Sequence, residues 1–231
     1  CPSLPAERLS ELQKQSPFQG KSKQVVFIRF GGKELSNALY VGIGDLKEWS
    51  DEKARVAGAL VSSRLQTEKS VHATILSQTL TPKNLAAFVE GLCLAAYQFK
   101  KYHTTKNEPI SLTKVTVQVS DRPTHESVAD LLKRVEASVE CTFLARDWSN
   151  EPSNIGTPTY FADQAIKVGR AAGLKVRVLG EKECRAEKME LFLAVGRGSP
   201  QENKMVVVEY APKQAKGAKT IAFVGKGVTF D

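Results

Sequence analysis

Thr81-Pro82-Lys83-Asn84-Leu85-Ala86-Ala87-Phe88-Val89-Glu90-Gly91-Leu92-Cys93-Leu94-Ala95-Ala96-Tyr97-Gln98-Phe99 is the stretch on which the fold turns. Leu85, Phe88, Val89, Leu92, Ala96 and Phe99 recur at helical spacing, so the segment reads as a long helix with one apolar face. Thr81 is a natural cap, and proline suits the first helical turn, where its missing N–H costs nothing. Residues 71–76 before it and 112–119 after it alternate or cluster β-branched side chains and read as strands. Farther upstream, Asp51 opens a helix to about Thr67, with Val56, Leu60 and Leu65 expected on its buried side. Two more strands precede it, at 24–30, ending in Gly31-Gly32, and at 38–43, closed by Gly44-Asp45. Residues 1–22 are a polar, proline-punctuated lead-in. Strands alternating with helices specify an α/β domain.

Beyond it, Asp121-Arg122-Pro123-Thr124 breaks the strand and caps another helix. Val128, Leu131, Leu132, Val135, Val139 and Phe143 share one face of that helix, which suits a bridge between two domains. Thr157-Pro158 opens the next helix, carrying Phe161, Ala162, Ala165 and Ile166 and stopped by Gly173. Leu174, Val176 and Val178 then alternate with Lys175 and Arg177 in a strand, and a short helix spans about 181–188. Residues 205–210 and 220–224 read as strands joined by the basic loop 211–219, so an antiparallel hairpin is expected there. The predicted organisation is an amino-terminal α/β domain at 1–122, a linking helix at 123–150, and the first part of a second α/β domain at 151–231.

Composition limits the function classes. The 231 residues are 42% hydrophobic and 25% charged, ordinary for a folded chain. No run approaches the 18 apolar residues or more that cross a bilayer. Cys1, Cys93, Cys141 and Cys184 show no C-x-x-C spacing, and Cys93 and Cys141 fall on apolar faces of predicted helices. With no N-x-S/T sequon, this cysteine use suits a reducing, cytoplasmic setting. The net charge of +8 is dispersed, its densest clusters being Lys21/Lys23, Lys100/Lys101 and Lys213/Lys216/Lys219, and aromatics are only 7%. A solvated basic surface accounts for this better than a nucleic-acid stripe, which concentrates charge and interleaves aromatics.

Failed motifs remove further classes. Around Gly225-Lys226-Gly227, a phosphate-binding loop would need Ser or Thr after the lysine and glycine at Thr220. Gly42-Ile43-Gly44 and Gly196-Arg197-Gly198 both lack the third glycine of a dinucleotide fingerprint. His125-Glu126 is followed by Ala129 where a zincin needs its second histidine, and no G-x-S-x-G elbow occurs. His72, His103 and His125 are the only histidines.

Ile221-Ala222-Phe223-Val224-Gly225-Lys226-Gly227-Val228-Thr229-Phe230-Asp231 remains. By pattern it is a buried strand running into a glycine-flanked lysine, then an apolar turn to an aspartate. Glycines permit close approach of backbone or ligand. A lysine directly after a core strand must reach solvent, pair, or lose its charge. The plain reading is a strand end whose lysine is solvated. The apolar ending, with no initiator methionine at Cys1, raises the expectation that the sequence is part of a longer one.

Val224-Gly225-Lys226-Gly227-Val228-Thr229-Phe230-Asp231 resembles the first active-site motif of the leucyl (cytosol) aminopeptidases, the M17 metallopeptidases. Arg146-Asp147-Trp148-Ser149-Asn150-Glu151-Pro152-Ser153-Asn154, followed by Thr157-Pro158, is similar to the stretch where that family's catalytic domain begins. The Leu-Ala-Val-Gly-Arg-Gly-Ser core within 189–199, then Val207-Val208-Glu209-Tyr210-Ala211-Pro212, resembles the next two landmarks. The resemblance implies a metal-dependent aminopeptidase that removes N-terminal, leucine-like residues from peptides. It implies two divalent metal ions, manganese or zinc with magnesium as a further candidate, and a homo-hexamer in the cytoplasm. Asp231 would bridge the two metals and Lys226 would ligate one through a neutral amine, since only the deprotonated nitrogen has a lone pair. The catalytic residues, the remaining carboxylate ligands and the substrate pocket are expected downstream of Asp231, so these residues alone would be inactive. Two rival readings are a DNA-binding accessory protein, served by the basic amino-terminal half, and a catalytically dead structural homologue.

Overall fold

The computed structural model describes residues 18–29, 37–76, 80–104, 112–118, 122–212, 217 and 219–229. Helix α1 (Asp51–Thr67) begins where the Ser50 hydroxyl accepts the Lys53 N–H, with Asp51 and Glu52 complementing the positive end of the helix. Helix α2 (Pro82–Ala95) begins the same way, the Thr81 hydroxyl accepting the Asn84 N–H with proline in the first turn. The two helices pack against each other through small residues. A Cβ built on Gly58 would collide with the carbonyl oxygen of Phe88, and one on Gly91 with the carbonyl oxygen of Arg55. Backbone thus meets backbone, and Ala54, Ala57, Val61, Leu65, Ala87, Phe88 and Leu92 close the core around that contact. Polar groups fasten its edge: Arg55 Nε donates to Glu90 Oε2 at 2.5 Å and Asn84 Nδ2 to Asp51 Oδ1 at 2.8 Å.

This packing corrects one expectation. Leu65 is buried, but Val56 and Leu60 are half-buried and line a shallow cleft with Ser22, Lys23 and Trp49. The small residues won the interface because only they let α1 and α2 approach so closely.

Two strand pairs accompany the helices. β1 (Val25–Ile28) and β2 (Ala38–Val41) are antiparallel, with Val25 opposite Val41 and Ile28 opposite Ala38. β3 (His72–Leu76) and β4 (Lys114–Gln118) are parallel, with His72 opposite Lys114 and Leu76 opposite Gln118. A parallel pair needs a crossover, which α2 supplies. Leu39, Val41, Ala73, Ile75 and Val115 pack on the helix core. Alternation along β3 leaves His72, Thr74 and Leu76 exposed on the opposite face. The expected turn at Gly31-Gly32 lies outside the described residues.

The chain divides into two units, Cys1–Ala145 and Arg146–Asp231, and α3 (Arg122–Ser149) runs through the division. Val128 and Val139 of α3 are buried, whereas Cys141, expected on the apolar face, is exposed; Cys93 is half-buried. In the carboxyl-terminal unit, α4 (Pro158–Ala171) is capped by the Thr157 hydroxyl, which accepts the Tyr160 N–H at 3.2 Å. Gly173, at φ +68°, ends it in the left-handed turn that glycine adopts without strain. Trp148 meets Phe161 edge-on at 6.3 Å between ring centroids. β5 (Lys175–Leu179) and β6 (Met205–Glu209) pair antiparallel, Lys175 opposite Glu209 and Leu179 opposite Met205. Lys175 Nζ lies 3.0 Å from Glu209 Oε2 across the pair. Between them come α5 (Glu181–Ala186) and α6 (Glu190–Gly196), and Leu179, Cys184 and Leu193 form the local core.

Two further differences stand out here. Helix α6 was not legible as a helix, since two turns are too few to display a period. The strand expected at 220–224 is not formed, and β6 pairs with β5 instead. Among the described residues, no helix is long and apolar enough to cross a membrane. Both units are α/β, and among the described residues the strands form two-stranded sheets.

Candidate metal-binding segment

Lys226 lies in a run, residues 219–228, with neither helix nor strand. Its side chain is exposed, and a Cβ built on Gly225 or Gly227 would meet nothing within 4 Å. The lysine therefore stands in an exposed segment with open space around both flanking glycines. Asp231, the second expected donor, lies outside the described residues. No group of three or more His, Cys, Asp or Glu among the described residues could hold a metal ion.

Other titratable groups in the carboxyl-terminal unit are already committed. Burial first, then the neighbouring Glu183, Glu181 and Glu202 carboxylates, pushes the Cys184 thiol up, so it stays protonated and is a poor ligand. Glu202 is held below the usual carboxylate range by Lys204 and by the Glu181 N–H, which it accepts at 2.9 Å. That carboxylate ties the start of α5 to the residues leading into β6. Asn203 beside it donates from Nδ2 to the carbonyls of Phe192 and Leu193, at 3.2 and 3.3 Å. The Leu193 carbonyl is among the last four of α6, which the helix itself cannot satisfy, and the Phe192 carbonyl is its immediate neighbour. Sequence reasoning singled out neither residue; a polar pair directly before a strand, following a short helix, was the available signal.

The landmark segments now have places in the fold. The 189–199 stretch is α6 with its glycine-rich exit, and Val207-Val208-Glu209 is the second half of β6. The 146–158 stretch runs from the last turn of α3 to the capped start of α4, with Gly156 N–H donating to the Pro152 carbonyl at 2.8 Å. There the Tyr160 hydroxyl donates to Glu151 Oε1 at 3.4 Å.

Two family models match the chain: the cytosol aminopeptidase family N-terminal domain over residues 2–106, and its catalytic domain over residues 143–231. A probable cytosol aminopeptidase of Rickettsia massiliae (strain Mtu5) is 33% identical over 228 residues, which is 95% of this chain and 45% of the relative. One from Clostridium perfringens (strain 13 / Type A) is 30% identical over 233 residues, covering 97% and 47%. The chain thus spans about half the length of the curated relatives it matches. Among solved structures, the bottromycin maturation enzyme BotP in complex with Mn superposes with a TM-score of 0.72 at 25% identity, covering 88% of this chain and 42% of that one. A tomato leucine aminopeptidase mutant, at 19% identity and a TM-score of 0.70, shares the fold over 86% of this chain and 40% of its own. With both family models matched in order along one polypeptide, the chain belongs to the cytosol aminopeptidase family.

Proposed function

We propose that this polypeptide is the amino-terminal share of a metal-dependent aminopeptidase that hydrolyses leucine-like N-terminal residues from peptides, with Lys226 and Asp231 as metal ligands. The observation that carries the reading is the exposed, glycine-flanked Lys226 within the segment matched by the family's catalytic domain. A pair of divalent ions, manganese, zinc or magnesium, supplies carbonyl polarisation and water activation in such sites. Lys226 must surrender its ammonium proton to donate, so its ligation couples metal affinity to pH. A glycine on each side of Lys226 allows the close backbone approach that a centre shared with the Asp231 carboxylate would need. Residues five apart in an extended strand face opposite ways, so the chain must turn between them. Two donors do not hold two metals, and this polypeptide by itself is inactive. The domain limits belonging to this reading are 1–122, 123–150 and 151–231, and the assembly is a cytoplasmic homo-hexamer.

Metal titration by calorimetry, together with release of leucine from a chromogenic leucyl substrate, tests it on the protein extended to the length of its relatives. Lys226→Ala should weaken metal binding and lower kcat/KM by on the order of 100-fold, a loss of about 3 kcal/mol. In the 231-residue chain, where the side chain is exposed, the same substitution should leave the melting temperature unchanged. Undiminished metal affinity in this variant would refute the ligand assignment. An intact protein with no metal-dependent release would point to the dead homologue, and salt-sensitive DNA binding without hydrolysis to the accessory protein.

A further inference from the structure

We infer that the cleft beside helix α1 in the amino-terminal unit binds a free apolar amino acid, with its carboxylate on Lys23 and Lys53 and its ammonium on Glu52. The cleft measures about 140 Å³, below the ~300–1,000 Å³ of pockets that enclose larger ligands, so it takes a single small molecule. Trp49, Val56 and Leu60 give it an apolar floor. Val56 and Leu60 stay half-buried there because smaller residues close the contact between α1 and α2. The Trp49 indole Nε1 is buried, yet among the described residues it meets no hydrogen-bond acceptor. A buried donor without a partner costs stability, and a carboxylate seated in the cleft beside the indole would supply the acceptor. Charge of both signs surrounds the floor, since Lys23, Glu52 and Lys53 also line the cleft. Lys53 faces Glu48 at 3.0 Å and Glu52 faces Arg55 at 3.3 Å, exposed pairs that a ligand can exchange for its own charges at little cost. Lys23 has no ion-pair partner among the described residues. The segment carrying it is fixed in place: the Gly44 N–H donates to the Gly20 carbonyl at 2.9 Å and the Gly42 N–H to that of Gln24 at 2.8 Å. An apolar amino acid carries carboxylate, ammonium and side chain on one carbon, the combination that these residues complement. A nucleotide or a long peptide exceeds the volume, and a plain hydrocarbon leaves the charges unused. Only the choice of leucine as the probe rests on the proposed activity, whose product class it is.

The test follows Trp49 fluorescence in the 231-residue chain, with Trp148→Phe to silence the other tryptophan and a chelator present so that no metal takes part. L-leucine should change the emission with a dissociation constant on the order of 1 mM, the range open to so small a ligand. Glycine, which lacks the apolar side chain, should bind at least ~10-fold more weakly. Isocaproate, which is leucine without its amine, should also bind more weakly. Glu52→Gln should weaken leucine by ~5-fold or more, by removing a charge-assisted contact, and leave isocaproate unchanged. Lys23→Gly should weaken both ligands. Its melting temperature should not fall, because Lys23 stands at φ +70°, where glycine is unstrained. A lost ligand contact is thereby separated from a damaged fold. No emission change up to about 20 mM leucine, or a leucine affinity that neither substitution alters, overturns the inference. Equal binding of leucine and isocaproate overturns the amino acid assignment. Leucine binding here without metal-dependent hydrolysis by the extended protein would sink the proposed activity and leave this site in place. Hydrolysis with a silent Trp49 would do the reverse.

Discussion

Replacing Gly91 with alanine sets two effects of opposite sign against each other. Helix propensity favours the change, since glycine inside a helix costs about 1 kcal/mol relative to alanine. Packing opposes it, because the added Cβ would fall on the carbonyl oxygen of Arg55 in α1. The obstacle is backbone, so no rotamer change relieves it and the helices must part. Separation also loosens Ala54, Ala57, Phe88 and Leu92, whose dispersion contacts fall off steeply with a gap of even ~0.5–1 Å. Overpacking of this kind costs about 1–3 kcal/mol, and contact with main chain should place it at or above the upper end. The net expectation is a loss of about 2 kcal/mol or more, a fall of at least ~1 M in urea midpoint at an m-value near 2 kcal/mol/M. Trp49 fluorescence in a Trp148→Phe background reports the amino-terminal unit alone, because the chain has only two tryptophans. Ala137→Gly, on the exposed side of α3, is the propensity control and should cost up to about 1 kcal/mol. A Gly91→Ala protein with a raised midpoint would refute the close-approach account and leave propensity as the governing effect.

Thr157→Ala removes the cap of α4 and should cost the carboxyl-terminal unit about 1 kcal/mol, read by Trp148 fluorescence in a Trp49→Phe background. Asn203→Ala removes the side-chain donor to the Phe192 and Leu193 carbonyls of α6 and should cost about 1 kcal/mol by the same probe. A hydrogen bond from Lys83 holds the Asp51 carboxyl below its usual range. A depressed folded pKa gives stability that is present above the unfolded value, near 4, and disappears as pH falls through the folded one. Urea midpoints of the amino-terminal unit from pH 7 to 3 should therefore decline at the acid end, and Lys83→Met should flatten that part of the decline.

Helix starts were the most legible feature, because a cap is a local event. Thr81-Pro82 and Thr157-Pro158 satisfy or remove N–H groups within one turn, whatever lies around them, and both helices begin there. Gly173 is similar, since its left-handed turn needs only the absence of a Cβ. The buried face of α1 was less legible. Val56 and Leu60 have the greater hydrophobicity, but closeness of approach favoured Ala54, Ala57 and Gly58. Residues 220–224 show the same limit in a sheet: their apolar pattern states a preference for burial and names no partner, and β6 pairs with β5. Of the proposed ligands, Lys226 was legible as a glycine-flanked lysine, while the openness around it is a matter of three-dimensional surroundings.

The amino-acid sequence by itself determined the alternation of strands and helices, their capped beginnings, the apolar character of 221–224, and the family resemblance carried by three ordered segments. These depend on backbone sterics, on hydrogen bonds spanning a few residues, and on side-chain identity. Only the tertiary structure decided that α1 and α2 meet through glycines, that β3 and β4 run parallel across α2, and that Glu202 and Asn203 tie down α5 and α6. Each of those depends on which atoms from distant parts of the chain fit the same space, and steric fit and hydrogen-bond geometry vary over tenths of an ångström that no pattern of residue types records.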